Sequence, residues 1–193
     1  MMSDRVGPTP PQTVGPFFHV LLREARNDLV RAQTRGQRIR IEGRISDGDG
    51  EPISDAMVEI WQANAAGRYR HPLDDREELE LDPTFGGYGR AATDGDGSFW
   101  FETIRPGTVP APDGSPQAPH LNVLVFARGL LDRLATRLYF EDEPLNDGDL
   151  VLALIPQDRR ATLLARREGS APGFRYRFDI VLQGPGETVF FDA

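Results

Sequence analysis

His120-Leu121-Asn122 is the stretch of this chain with the most chemistry in its spacing. Successive side chains of a strand alternate faces, so residues two apart point the same way. Two histidines so placed would clamp one metal ion from one face. Here the second position holds an amide, a poor ligand for a transition metal. The triplet lies in Ala118-Pro119-His120-Leu121-Asn122-Val123-Leu124-Val125-Phe126, which reads as a buried strand. The other two histidines are His19 and His71, and Tyr69 stands just before His71 in Gly67-Arg68-Tyr69-Arg70-His71. A lone strand histidine is more often a hydrogen-bonded core residue than a ligand. Its neighbours in the sequence must therefore carry any stronger reading.

Other chemistries find little support. There is no cysteine, which excludes disulfides, thiolate metal sites and thiol catalysis. No Gly-x-Ser-x-Gly, phosphate loop or dinucleotide fingerprint occurs. Asp47-Gly48-Asp49-Gly50 and Asp94-Gly95-Asp96-Gly97 lack the later ligands of a calcium loop, and Asp-Gly pairs suit tight turns. Glu77-Glu78-Leu79-Glu80 is most simply a solvated charge run.

The elements that must position these residues read mainly as short strands. Ile39, Ile41 and Ile45 alternate with charged residues from Arg38 onward, with Gly43 marking a bulge. Ala56, Val58, Ile60 and Gln62 face one way, and Met57, Glu59 and Trp61 the other. Further strands are expected over 98–104, through Thr136–Phe140, over 175–182 and over 188–191. Pro156 to Glu168 reads as a helix, with Pro and Asp in its first turn and Arg166-Arg167 at its end. Phe17 to Val30 reads as a short helix or irregular turn. About seven short strands punctuated by Gly and Asp suggest a β-sandwich.

The bulk numbers agree. At 193 residues with 39% apolar content, one domain with a sizeable core is expected. Twenty Gly and 16 Pro favour turns and β structure over a helical bundle. A net charge of −8 disfavours nucleic acid and anionic membranes as partners. No apolar run approaches the ~18 residues of a membrane span, and Met1-Met2-Ser3-Asp4-Arg5 leads into no apolar signal segment, so a cytoplasmic protein is the default expectation. Residues 3–16, rich in Pro, Gly and Thr, form either a loose tail or an extended docking arm.

Six strings shift the weight. In order they are Glu59-Ile60-Trp61-Gln62-Ala63-Asn64, Gly67-Arg68-Tyr69-Arg70-His71, Asp82-Pro83-Thr84-Phe85-Gly86-Gly87, Ile104-Arg105-Pro106-Gly107, Ala118-Pro119-His120 and Tyr176-Arg177-Phe178-Asp179-Ile180. Together the chain resembles the intradiol ring-cleaving catechol dioxygenases, from about Thr9 to its end. The opening 9–16 and the ending 184–192 resemble the alpha chain of a two-chain member. The resemblance implies a mainly β fold, a sandwich of the intradiol dioxygenase type spanning 38–193, with one or two short helices and a docking N-terminal arm over 1–37.

The family binds a non-haem ferric ion through two tyrosinates and two histidines. By resemblance Tyr69 and His120 occupy the first tyrosine and first histidine positions. Val109 and Asn122 stand where the second tyrosine and second histidine belong. Two of four ligands are therefore absent, which implies that Fe(III) is bound by a partner beta chain; Tyr88 remains open as a substitute phenol. The resemblance further implies that this chain supplies Arg128 and the segment containing Thr13, Gly15 and Pro16 to a substrate pocket in that partner. The implied reaction is O2-dependent intradiol cleavage of 3,4-dihydroxybenzoate to 3-carboxy-cis,cis-muconate in the β-ketoadipate pathway, by a higher oligomer of alpha–beta units. The alternative is a scaffold subunit with no substrate role.

Overall fold

Alternation of isoleucine with charged residues produces the first strand, β1 (Arg38–Ser46), whose Ile39, Ile41 and Ile45 are buried. The computed structural model describes residues 25–169 and 173–192. The strands that follow are β2 (Met57–Trp61), β3 (Tyr88–Ala92), β4 (Ser98–Ile104), β5 (Val109–Pro110), β6 (Pro116–Gln117), β7 (His120–Phe126) and β8 (Leu134–Phe140). After a five-residue helix, α1 (Leu150–Leu154), come β9 (Leu164–Glu168), β10 (Phe174–Arg177) and β11 (Ile180–Val181). Among the described residues nine strands form one nearly closed sheet: β10 and β11 follow one another along one edge of β1, β4 lies along its other edge, and from β10 the order runs β9-β8-β7-β2-β3. β5 and β6 make a separate small ribbon.

The two halves of this sheet face each other across the core. Ile41, Phe101 and Tyr176 from one half pack in the same cluster as Val58, Leu121, Val123 and Phe140 from the other. The expected mainly β, sandwich-type architecture with few helices is what the chain adopts. No helix among the described residues is long and apolar enough to cross a membrane.

Four local expectations need correction. Residues 156–168 are not a helix. A 3₁₀ turn at Arg160–Leu163 leads into β9, which fills the slot between β8 and β10. Two ladders of backbone hydrogen bonds there outweigh the helical propensity of Ala, Leu and Arg. The helical segment lies earlier, at α1, where the Asp149 carboxylate caps the Val151 and Leu152 amides. In the described part of 17–30, the backbone is extended instead, bridging Arg26 to Arg90 and Asp28 to Glu102, with Leu29 packed on the core.

Gly43 marks no bulge, because its pairing with Phe99 is in register with the rest of the ladder. It is glycine because a Cβ there would collide with the Phe178 carbonyl and the Phe99 ring. β3, Tyr-Gly-Arg-Ala-Ala, went unread because it has few strand-favouring residues. Gly89 within it lets Leu29 and Ile60 approach closely. The 175–182 stretch divides into β10 and β11, both parallel to β1 in the same register, whereas 188–191 contributes only a single bridge from Phe191 to Ala135.

Candidate functional site

The alternation of β7 buries Leu121, Val123 and Val125 in the core and turns His120 and Asn122 to the opposite face. That face belongs to a cavity of about 480 Å³ lined by Tyr69, Val109, His120 and Asn122 together. Residues from three separate parts of the sequence thus meet at one place. Trp61, His71, Asp74 and Arg137 complete its principal walls.

His120 is only 4% exposed. Its Nδ1 lies 2.8 Å from the Ala118 carbonyl, and a carbonyl can only accept, so Nδ1 carries the proton and Nε2 presents a lone pair. Burial, reinforced by the positive charge of Arg137, holds its pKa down at about 4, so the ring is neutral at pH 7. The segment before it is fixed by Asp149, which is fully buried. One of its oxygens accepts from the Ala118 amide at 2.8 Å and the other from Val151 and Leu152, both at 2.9 Å, and from the Tyr139 hydroxyl at 3.2 Å.

Tyr69 sits on the loop after β2. The Asn64 carboxamide oxygen accepts from the Ala66 and Arg68 amides, and the Tyr69 amide donates to Asp74 at 2.7 Å. The Tyr69 ring stacks on Trp61, with centroids 5.8 Å apart and planes 11° from parallel. Burial raises its phenol pKa, opposed by the Arg137 charge and a hydrogen bond with Asn122, so the phenol is protonated at neutral pH. Asp74 is held at about 2, chiefly by hydrogen bonds from Arg76.

Val109 reaches the cavity through contact between two glycine turns. Gly67 has φ +81°, and a Cβ there would strike the Thr108 carbonyl oxygen. The Gly107 amide donates to Asn64 at 2.9 Å in the same contact. Behind it, Arg105 donates to Asp142 and Glu143 and lies over the Phe140 ring.

A family model described as a dioxygenase matches residues 14–184. The chain belongs to this dioxygenase family. It is 40% identical over 198 residues to the protocatechuate 3,4-dioxygenase alpha chain of Pseudomonas putida, covering 95% of this chain and 96% of that one. It is 38% identical over 186 residues to the protocatechuate 3,4-dioxygenase beta chain of Burkholderia cepacia, covering 92% and 76% respectively. The solved dioxygenase domain of a carbohydrate-binding protein fusion from Streptomyces sp. SirexAA-E superposes with a TM-score of 0.63 at 30% identity, covering 93% of this chain and 100% of that one. The resemblance read from the ordered strings is upheld.

The ferric ion used in this dioxygenase family does not fit the donors of this cavity. Val109 has no donor atom, and the Asn122 amide is a weak and neutral one. Of the four positions that the resemblance assigns to ligands, Tyr69 and His120 are the two that carry a phenol or an imidazole. Among the described residues no group of three or more His, Asp or Glu side chains is placed to hold a metal. Tyr88 does not substitute: it is outside the cavity lining, and its hydroxyl donates to Glu59 at 2.6 Å.

Arg128 is elsewhere. It follows the far end of β7, roughly 20 Å along the strand from His120. Its side chain is 74% exposed and pairs with Asp55 at 3.1 Å. It does not line this chain's own cavity. Thr13, Gly15 and Pro16 lie outside the described residues. Arg137 and Trp61 were not singled out by sequence reasoning. Register supplies the missing signal: Trp61 pairs with Asn122, and Asn122 with Arg137, making one row across β2, β7 and β8.

Proposed function

We propose that this chain is the iron-free alpha subunit of a protocatechuate 3,4-dioxygenase. The observation that carries the reading is the cavity in which Tyr69 and His120 keep company with Val109 and Asn122. A family member with half of its ligand set calls for a second chain with the whole of it. The likeness to both an alpha and a beta chain of protocatechuate 3,4-dioxygenase supports such a pairing.

In this reading Fe(III) resides in the beta chain, where it supplies the activation of the catechol towards O2. The reaction is intradiol cleavage of 3,4-dihydroxybenzoate to 3-carboxy-cis,cis-muconate, a step of the β-ketoadipate pathway, carried out in the cytoplasm by an oligomer of alpha–beta units. The role of this chain is to bind and orient. Arg128 pairs its guanidinium with the substrate carboxylate, a strong and geometrically selective contact. Its exposure and its distance from the cavity of its own chain favour a ligand held by another chain. The segment carrying Thr13, Gly15 and Pro16 contributes to the same pocket.

The test is co-expression with a beta chain that retains both Tyr and both His ligands, followed by oxygen uptake on 3,4-dihydroxybenzoate. Turnover that needs both chains supports the reading, and full turnover by the beta chain alone refutes it. A scaffold role without substrate contact is the competing reading, favoured by the Arg128–Asp55 ion pair that occupies Arg128 within the chain.

A further inference from the structure

The cavity has lost half of a metal site but remains a built one. Its volume, about 480 Å³, is that of a small-molecule site. Trp61 and Tyr69 form a stacked aromatic wall along one side. Arg137 stands across the row from Trp61, with Asn122 between them. Among the described residues the Arg137 guanidinium donates only from Nη1, to the Gln117 carboxamide oxygen at 2.8 Å and the Tyr139 hydroxyl at 3.2 Å. Both acceptors are neutral. Among the described residues no carboxylate is within ion-pair distance of Arg137, and its Nε–Nη2 edge carries no hydrogen bond. The other wall cation, Arg76, is already taken by Asp74. His120 lies diagonally from Arg137 on the neighbouring strand and presents the unprotonated Nε2.

These groups specify a ligand. A guanidinium edge without an anion recognises a carboxylate by two parallel hydrogen bonds. A stacked aromatic wall recognises a flat ring. An imidazole lone pair recognises a hydroxyl proton. Diagonal neighbours on adjacent strands sit about 7–8 Å apart, of the order of the span from the carboxylate to the opposite hydroxyl of a hydroxybenzoate.

We propose that this cavity is a metal-free binding site for a small hydroxybenzoate, with the carboxylate on Arg137, the ring against Trp61 and Tyr69, and the phenol hydroxyl donating to His120 Nε2. The site stands on side chains of this chain alone. It provides a second, non-catalytic place for an aromatic acid of the same chemical class as the proposed substrate. That choice of ligand agrees with the function proposed above, while the binding itself does not require it.

The test is ligand titration of the full chain, followed by calorimetry and by Trp61 fluorescence. Trp61 and Trp100 are the only tryptophans, so a Trp100→Phe background isolates the cavity signal. With 4-hydroxybenzoate we expect saturable binding of one molecule per chain and a change in Trp61 emission. Losing a charge-assisted pair should weaken binding at least about tenfold in Arg137→Gln. The carboxylate-free probe 4-hydroxybenzyl alcohol should bind at least about tenfold more weakly to the unaltered chain, which needs no variant to fold. No saturation up to millimolar 4-hydroxybenzoate, or equal binding of the alcohol, overturns the proposal. In the complex with a beta chain the expected count is two aromatic-acid sites per alpha–beta pair, falling to one in Arg137→Gln. One site in the unaltered pair overturns the proposal even if oxygen uptake is normal. Two sites without oxygen uptake leave it standing while the proposed function fails.

Discussion

Gly67 and Gly107 touch backbone to backbone: a Cβ on Gly107 would lie 2.5 Å from the Gly67 nitrogen. This contact draws the Tyr69 loop against the Val109 loop and so closes one side of the cavity. Gly67→Ala would put a side chain at φ +81° and drive it into the Thr108 carbonyl. Adding backbone strain to overpacking, we expect a loss of at least about 2 kcal/mol of stability, measured by urea unfolding. A loss below about 0.5 kcal/mol would mean that the loops part without cost.

Asp149 joins α1, β8 and the approach to β7 through four hydrogen bonds to one buried carboxylate. Asp149→Ala leaves the Ala118 amide without its partner in the interior and removes the helix cap. The expected cost is about 2–4 kcal/mol, read from the shift in unfolding midpoint. Asp149→Asn should recover part of it, since the amide oxygen still accepts.

Asp74 gives a pH signature. Its carboxyl is held at about 2 in the folded chain against an ordinary 3.8, with hydrogen bonds from Arg76 as the largest cause. A depressed carboxylate contributes stability above its unfolded pKa and loses it as pH falls through the folded one. The contribution, roughly 2 kcal/mol at most, should therefore be complete above about pH 5 and disappear between about pH 4 and pH 2. Asp74→Asn should flatten the stability curve across that window, as measured by denaturant unfolding at each pH.

Arg128→Ala separates the substrate role from the scaffold role. In the assembled complex we expect the KM for 3,4-dihydroxybenzoate to rise about tenfold or more, the size of one charged hydrogen-bonded pair. Catechol, which has no carboxylate, should show little change. An unchanged KM with intact assembly would assign Arg128 to the surface.

Much of this molecule could be read from its residues. The Ile39–Ile45 alternation, the 98–104 strand and the His120 strand lie where their periodicity put them. His120 and Asn122 do share a face with Tyr69 and Val109, although 50 or so residues of chain intervene between Tyr69 and His120. What escaped was set by tertiary context. Leu164–Glu168 has helical residues but fills a gap in a sheet, and β3 has poor strand residues but is held by β2 on one edge. Arg137 escaped because its meaning depends on register: only the pairing with Asn122 puts its charge in the cavity.

Introducing Tyr at position 109 and His at position 122 (Val109→Tyr with Asn122→His) should supply the two donors that the proposed function assigns to those positions. Because both positions line the same cavity as Tyr69 and His120, the double variant is expected to take up ferric iron and show tyrosinate-to-iron visible absorption. Neither single substitution should do so to the same extent. A colourless double variant that is correctly folded would place these positions out of reach of a common ion.

Iron analysis tests the central claim most directly. The chain is purified alone and, separately, with a beta chain that keeps both Tyr and both His ligands, and metal is quantified per chain. The account predicts less than a tenth of an iron, roughly, per chain alone, and about one per alpha–beta pair, as expected when only one complete ligand set is present. Stoichiometric, coloured iron in the chain purified alone would contradict it.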